Sequence, residues 1–171
     1  MKKNLIELIN MVLIFSAIGL ILWLVNQNFP ASGELQIKSA LAKDLPMISK
    51  LGPEGRIKIK DNLTLVLDGP VYFDLRFLPW FKKARIFIQY QPKGRNLEGL
   101  GRQIGPGFSY EVQKALLISD FEDGFSQAVF DFDLTRVYQR KNITRFLIET
   151  KPSSQLAGEL RIKELKIILS R

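Results

Sequence analysis

The chain has 171 residues, a formal net charge of +8 and 46% hydrophobic residues. It holds neither cysteine nor histidine, which excludes disulfides, thiol chemistry, the usual zinc ligand and both the Ser-His-Asp and Cys-His arrangements. Any catalysis would have to use carboxylates, lysine or tyrosine.

The first predicted element is an apolar helix. Met11 to Val25 is uninterrupted by charge, and no charged residue falls between Glu7 and Glu34. Taken back to Leu8, the run gives about 27 Å of helix, close to a hydrocarbon core of ~30 Å. Residues 8–25 therefore read as a transmembrane span embedded in membrane lipid, with residues 1–28 as cytoplasmic stub and anchor and 29–33 as linker. Lys2 and Lys3 precede the run and the next basic residue is Lys38, which places the N-terminus in the cytoplasm and residues 34–171 outside it, at the cell membrane. Trp23 suits the headgroup region, and Asn26-Gln27-Asn28 forms a polar stop. Ala31-Ser32-Gly33 offers small residues for a signal-peptide cut. The run is nevertheless long for a cleavable h-region, so a retained signal anchor is the expectation.

Residues 34–171 suffice for one domain with a core. Lys2, Lys3 and Glu7 account for +1 of the +8, leaving +7 downstream. A basic external domain favours acidic partners such as phosphate-bearing lipid, anionic wall polymer or acidic protein, and its location argues against nucleic acid.

Short alternating runs punctuated by Gly, Pro, Asn and Asp then predict strands. They cover Leu35 to Ile37, Ile57 to Ile59, Leu63 to Leu67 after Asp61-Asn62, Val71 to Phe77 after Asp68-Gly69-Pro70, and Ala84 to Tyr90. Within Val71 to Phe77, the odd positions Val71, Phe73, Leu75 and Phe77 share one face. Gly94 to Gly107 reads as a long loop. Phe108 to Val112 resumes alternation, Ala115 to Ile118 is an apolar run of undecided type, and Phe130, Phe132 and Leu134 share a face. Thr135 to Lys141 reads as one or two helical turns, with Asp133 or Thr135 as N-cap and Asn142 as exit. Ile143 to Thr150 is a strand. Glu159 to Leu169 is the last, with a one-residue register change near Glu164.

The fold class expected is mainly β: the N-terminal helix followed by an antiparallel jelly-roll β-sandwich with one short helix. A strand ending Phe132-Asp133-Leu134, a short helix containing Tyr138, the strand Arg145-Phe146-Leu147-Ile148, a Pro152-Ser153-Ser154 loop and a final strand resemble the end of galactose-binding-like jelly rolls. Carbohydrate-binding modules and discoidin-type domains share that sandwich. The resemblance covers residues 63 to 170 and implies a binding module.

Two basic groups are candidate ligand sites. Trp80 with Lys82, Lys83 and Arg85 joins an indole that can stack on a sugar or cap the sandwich to donors for anions. Tyr138 lies among Arg136, Arg140, Lys141 and Arg145, with Arg136 and Arg140 sharing a helix face if the segment is helical. Asp120, Glu122 and Asp123 supply oxygens of the kind calcium takes, without an EF-hand spacing, and no other cofactor is indicated. Asn62-Leu63-Thr64 and Asn142-Ile143-Thr144 are glycosylation sequons whose asparagines also suit turns. The expected function is a non-catalytic, membrane-anchored external module binding a glycan or anionic envelope polymer. The alternative is a structural subunit that joins membrane protein partners in a secretion, pilus or polymer-export assembly.

Overall fold

The computed structural model describes residues 2–28, 33–153 and 158–171, with side chains described for 7–23 in the first stretch. The chain divides into two compact units, Met1–Leu35 and Gln36–Arg171.

The first unit contains α1 (Lys2–Asn28), and every side chain described on it, from Glu7 to Trp23, is exposed. Among the described residues no helix is long and apolar enough to cross a membrane. The transmembrane span expected over residues 8–25 is thus not found among those residues, which carry described side chains on α1 only from Glu7 to Trp23. The side chains of Leu24, Val25 and the polar stop are not among those described, and Pro30, Ala31 and Ser32 of the cut pattern lie outside the described residues.

The strands are β1 (Glu34–Ser39), β2 (Ile57–Lys60), β3 (Leu63–Val66), β4 (Val71–Arg76), β5 (Lys83–Lys93), β6 (Arg95–Gln103), β7 (Tyr110–Gln113), β8 (Leu117–Asp120), β9 (Ser126–Asp133), β10 (Ile143–Pro152) and β11 (Glu159–Ser170). They make two antiparallel sheets consistent with a β-sandwich. One is seven-stranded, in the order β2–β3–β11–β5–β9–β8 with β1 also on β11; the other is β4–β10–β6–β7.

Alternation builds the core. Val71, Phe73 and Leu75 of β4 are buried, as are Ala84, Ile86 and Ile88 of β5, Ala128, Phe130 and Phe132 of β9, and Phe146 and Ile148 of β10. Phe146 stacks on Phe73 within its own sheet, centroids 5.5 Å apart, and meets Phe132 of the other sheet edge-on at 5.2 Å. In β11 the buried set changes from Leu160 and Ile162 to Leu165, Ile167 and Leu169, and the pairing with β5 shifts between Ile162 and Glu164. This is the expected bulge: one extra residue restores the apolar side chains to the core face.

Two hairpins have two-residue turns. Asp61-Asn62 (φ 51° and 60°) joins β2 to β3, and Lys141-Asn142 (φ 54° and 62°) precedes β10. Left-handed φ at both central residues matches the right-handed twist of the flanking strands. Both sequon asparagines are therefore turn residues. Their threonines are buried, Thr64 donating to the carbonyl of Ala40 at 2.7 Å and Thr144 to that of Tyr138 at 2.6 Å.

Two expectations are corrected. Residues 95–103 of the expected Gly-rich loop form β6, because the glycines answer a close approach of β7. A Cβ at Gly99 would lie 2.7 Å from the carbonyl oxygen of Gln113 and 2.8 Å from Val112 Cγ1. The helical turns expected over Thr135 to Lys141 shrink to a 3-10 turn at Leu134–Arg136, capped as expected by Asp133 accepting from the Thr135 amide. A second 3-10 turn lies at Glu54–Arg56.

Candidate functional site

The outer face of the four-stranded sheet gathers the polar half of its strands. With Phe73 and Phe146 pointing inward, Tyr72 and Asp74 on β4 and Arg145 on β10 point outward, since side chains alternate along a strand. Asp74 and Arg145 are directly opposite in register, and the guanidinium donates to both carboxylate oxygens at 2.7 and 3.0 Å. Its Cζ also lies 4.1 Å from the centroid of the Tyr72 ring, a cation–π arrangement. Asp74 raises the pKa of the Arg145 guanidinium. At the start of β7, burial pushes the Tyr110 hydroxyl above the ordinary phenol value, against the opposing pull of Arg145. Tyr110 thus remains a neutral hydrogen-bonding group at ordinary pH.

Tyr138 is held at its backbone from two sides: its amide donates to the Gln103 carbonyl at 2.8 Å and its carbonyl accepts from Thr144. The turn that follows presents Arg140 and Lys141. Together with Asp74, Gln103, Ile143, Arg145 and the Pro106-Gly107 loop, these residues line a cleft of about 550 Å³. A second cleft of about 310 Å³, walled by residues 44–49, shares Asp74 and Ile143 and adds Arg76. Arg145 is committed to Asp74, but among the described residues neither Arg140 nor Lys141 has a carboxylate partner. The larger cleft has one carboxylate against three cations. It can hold an anion with ring-bearing or hydroxyl-rich surface beside it.

The residues expected as ligand sites separate. Tyr138 and Arg140 line the cleft. Trp80 is 45% exposed in the β4–β5 connection, its ring 6.3 Å from that of buried Phe81. Lys82 donates through Nζ to the Pro79 carbonyl at 2.8 Å. Lys83 and Arg85 sit on β5 of the other sheet, where Lys83 pairs in register with Asp133. Arg85 donates to both oxygens of Asp131 at 2.7 and 2.8 Å, which holds the Asp131 carboxyl below its ordinary pKa. The shared helix face expected for Arg136 and Arg140 does not form, because the 3-10 turn ends at Arg136.

The acids considered for calcium are engaged elsewhere or solvated. Asp120 accepts from Ser126 Oγ at 2.6 Å, Asp123 from the Phe125 amide and Lys163 Nζ at 3.1 and 3.2 Å, and Glu122 is exposed. Among the described residues no three acidic side chains form a group that could hold a metal ion.

Tyr72, Asp74 and Tyr110 were not singled out from sequence. The available signal was the polar half of the Val71 to Phe77 alternation: an aromatic and an acid side by side on the face that does not build the core. No family model matches the chain, and no curated protein matches it.

Proposed function

We propose that this chain is a membrane-anchored, non-catalytic binding module that recognises an anionic glycan or cell-envelope polymer through the outer face of its four-stranded sheet. The observation carrying this reading is the cleft in which Tyr138 stands beside Arg140 and Lys141, two cations without carboxylate partners among the described residues. An aromatic ring can stack on a sugar while the cations meet its carboxylates or phosphates. The only carboxylate in the cleft is already bound by Arg145, which disfavours an acid–base pair.

A jelly-roll reading of the sandwich is supported by the strand order. Setting aside β1, β2 and β8, the sheets reduce to β3–β11–β5–β9 and β4–β10–β6–β7, eight strands with the sheet-to-sheet crossings of two Greek keys. The galactose-binding-like resemblance is proposed on the same basis. The anchor reading draws on a 27-residue helix containing the charge-free run Met11 to Val25, and the external location on Lys2 and Lys3. Retention of the protein in membranes after an alkaline carbonate wash, and digestion of residues 34–171 by protease added to intact cells, are the expected results. Release by carbonate, or protection until lysis, would overturn these two points.

Binding is tested with the full chain in mild detergent, passed over immobilised alginate and over neutral dextran. Salt-sensitive retention on alginate alone is expected, weakened by ~1–3 kcal/mol in Tyr138→Ala if stacking on the sugar ring contributes as much as it does with nucleic-acid bases. Equal passage over both resins, or retention indifferent to Tyr138→Ala and Arg140→Gln, would overturn the site.

A second reading, a structural subunit of an envelope assembly, is favoured by one feature: the exposed apolar side chains of Leu116, Leu117, Ile118 and Phe121. It predicts co-purification of other membrane proteins with the chain.

A further inference from the structure

The two clefts on the outer face of the four-stranded sheet are neighbours with a common floor. Both are lined by Asp74 of β4 and Ile143 of β10. In register, Asp74 stands opposite Arg145 and Ile143 opposite Arg76, so the floor is a neutralised ion pair and an aliphatic side chain, with no net charge to stop a ligand that crosses it. Gln103 of β6 and the Pro106-Gly107 loop wall the first cleft, and residues 44–49 wall the second. That second wall lies beyond β4, where Ser49 N–H donates to the Asp74 carbonyl at 2.9 Å and Arg76 N–H to that of Met47 at 2.8 Å. From β6 across β10 and β4 to this segment is three strand spacings, roughly 14 Å at ~4.7–4.9 Å each, enough for two sugar rings in line and too long for one.

The clefts differ in charge. The first sets Arg140, Lys141 and Arg145 against Asp74, three cations to one carboxylate. The second sets Asp44 and Asp74 against Arg76, two carboxylates to one cation. Asp44 Oδ1 accepts from the Lys50 N–H at 2.9 Å, and among the described residues its Oδ2 has no donor and Arg76 has no carboxylate partner. On the glycan reading of the first cleft, on which this rests, we infer that the two clefts are consecutive subsites for one linear polysaccharide in which acidic and neutral sugars alternate. The acidic unit lies beside Arg140 and Lys141, and the neutral one between Asp44 and Arg76.

A neutral, hydroxyl-rich ring suits the second cleft from both sides. Its hydroxyls can donate to Asp44 Oδ2 and accept from the Arg76 guanidinium, and hydrogen bonds with one charged partner are the stronger kind. Exposed Pro46 and half-buried Met47 add apolar surface for a ring face or an acetamido methyl. A second carboxylate in the same place would meet Asp44 and Asp74, and an unfavourable charge pairing is how a site rejects the wrong ligand. A polymer acidic at every unit must leave this cleft unfilled or bear that repulsion.

Displacement of the full chain, in mild detergent, from immobilised alginate provides the test. Hyaluronan oligosaccharides, in which glucuronate alternates with N-acetylglucosamine, should displace it roughly tenfold better than oligogalacturonates of the same length, although they carry half the charge. Asp44→Asn keeps the acceptor for the Lys50 N–H and removes the repulsion, so the oligogalacturonates should gain and the difference shrink to about twofold or less. Arg76→Gln should remove most of the advantage of hyaluronan over free glucuronate. Equal or better displacement by the oligogalacturonates, or a difference that persists undiminished in Asp44→Asn, would overturn the order of units while leaving the first cleft standing. Displacement by neither oligosaccharide would overturn the glycan reading itself, and the two subsites with it.

Discussion

Arg145 is clamped between the Asp74 carboxylate, which accepts two hydrogen bonds from it, and the face of Tyr72, 4.1 Å from its Cζ. The clamp fixes the plane of the guanidinium on the floor of the cleft. Arg145→Lys keeps the charge but loses the fork and the stacking plane. Because the pair is about one-third exposed, the stability loss should be small, about 0.5–1 kcal/mol. Retention on alginate should fall while the urea midpoint moves little; a large midpoint change with unaltered retention would assign the pair to stability alone.

Gly99→Ala should destabilise the domain by about 1–3 kcal/mol, the range for inserting a carbon into a packed position. Its Cβ would meet backbone at 2.7 Å, which cannot swing aside. Gly101→Ala should cost less, as the first atom it meets, at 3.0 Å, is a methyl of the Val112 side chain. Urea denaturation checks the order, with the midpoints moving at constant slope.

Phe146→Ala removes the ring that touches Phe73 in one direction and Phe132 of the opposing sheet in the other. Phe146 is fully buried, so the expected loss is about 3–5 kcal/mol. Thermal unfolding measures it, and a loss below 1 kcal/mol would mean that the two sheets do not meet at this ring.

Acid should destabilise the domain in part through Asp131, whose carboxyl is held low by the hydrogen bond from Arg85, and Asp133, held low by Thr135. A depressed carboxyl stabilises the fold above its unfolded pKa, about 3.9, and that contribution is lost as pH falls through the lower folded value. Asp131→Asn should therefore flatten the fall in melting temperature below pH 4. At the alkaline end, burial raises the hydroxyls of Tyr90 and Tyr110. Their contribution is complete below the unfolded phenol pKa of about 10 and declines as pH rises through the folded values. An acid limb identical in Asp131→Asn and the parent protein would remove the Asp131–Arg85 contribution.

The strands most legible in the sequence were those whose alternation records burial on one side: Val71 to Phe77, Ala84 to Tyr90 and Phe130 to Leu134. Even the extra residue near Glu164 was visible, because a bulge leaves a phase change in the apolar pattern. β6 was not, since Gly99 and Gly101 have no side chain with which to mark a face, and the reason for glycine there is a neighbouring strand far along the chain. The short turn at Leu134 was overextended because Tyr138 to Lys141 has helix-compatible residues whose backbone is claimed instead by Gln103 and Ile143.

By itself the sequence determined which chemistry is closed to this protein, through the absence of histidine and cysteine, and that its body is built of half-buried strands, because both are local properties of composition and period. Which charges remain available for a ligand was decided only by the tertiary structure. Arg85 and Arg140 are equivalent as residues, yet the first is neutralised by Asp131, which strand pairing sets beside it. The second is carried on a tight turn to the rim of a tyrosine-lined cleft. Coulombic partnership falls off over a few ångströms, so it depends on distances that exist only after the sheets have formed.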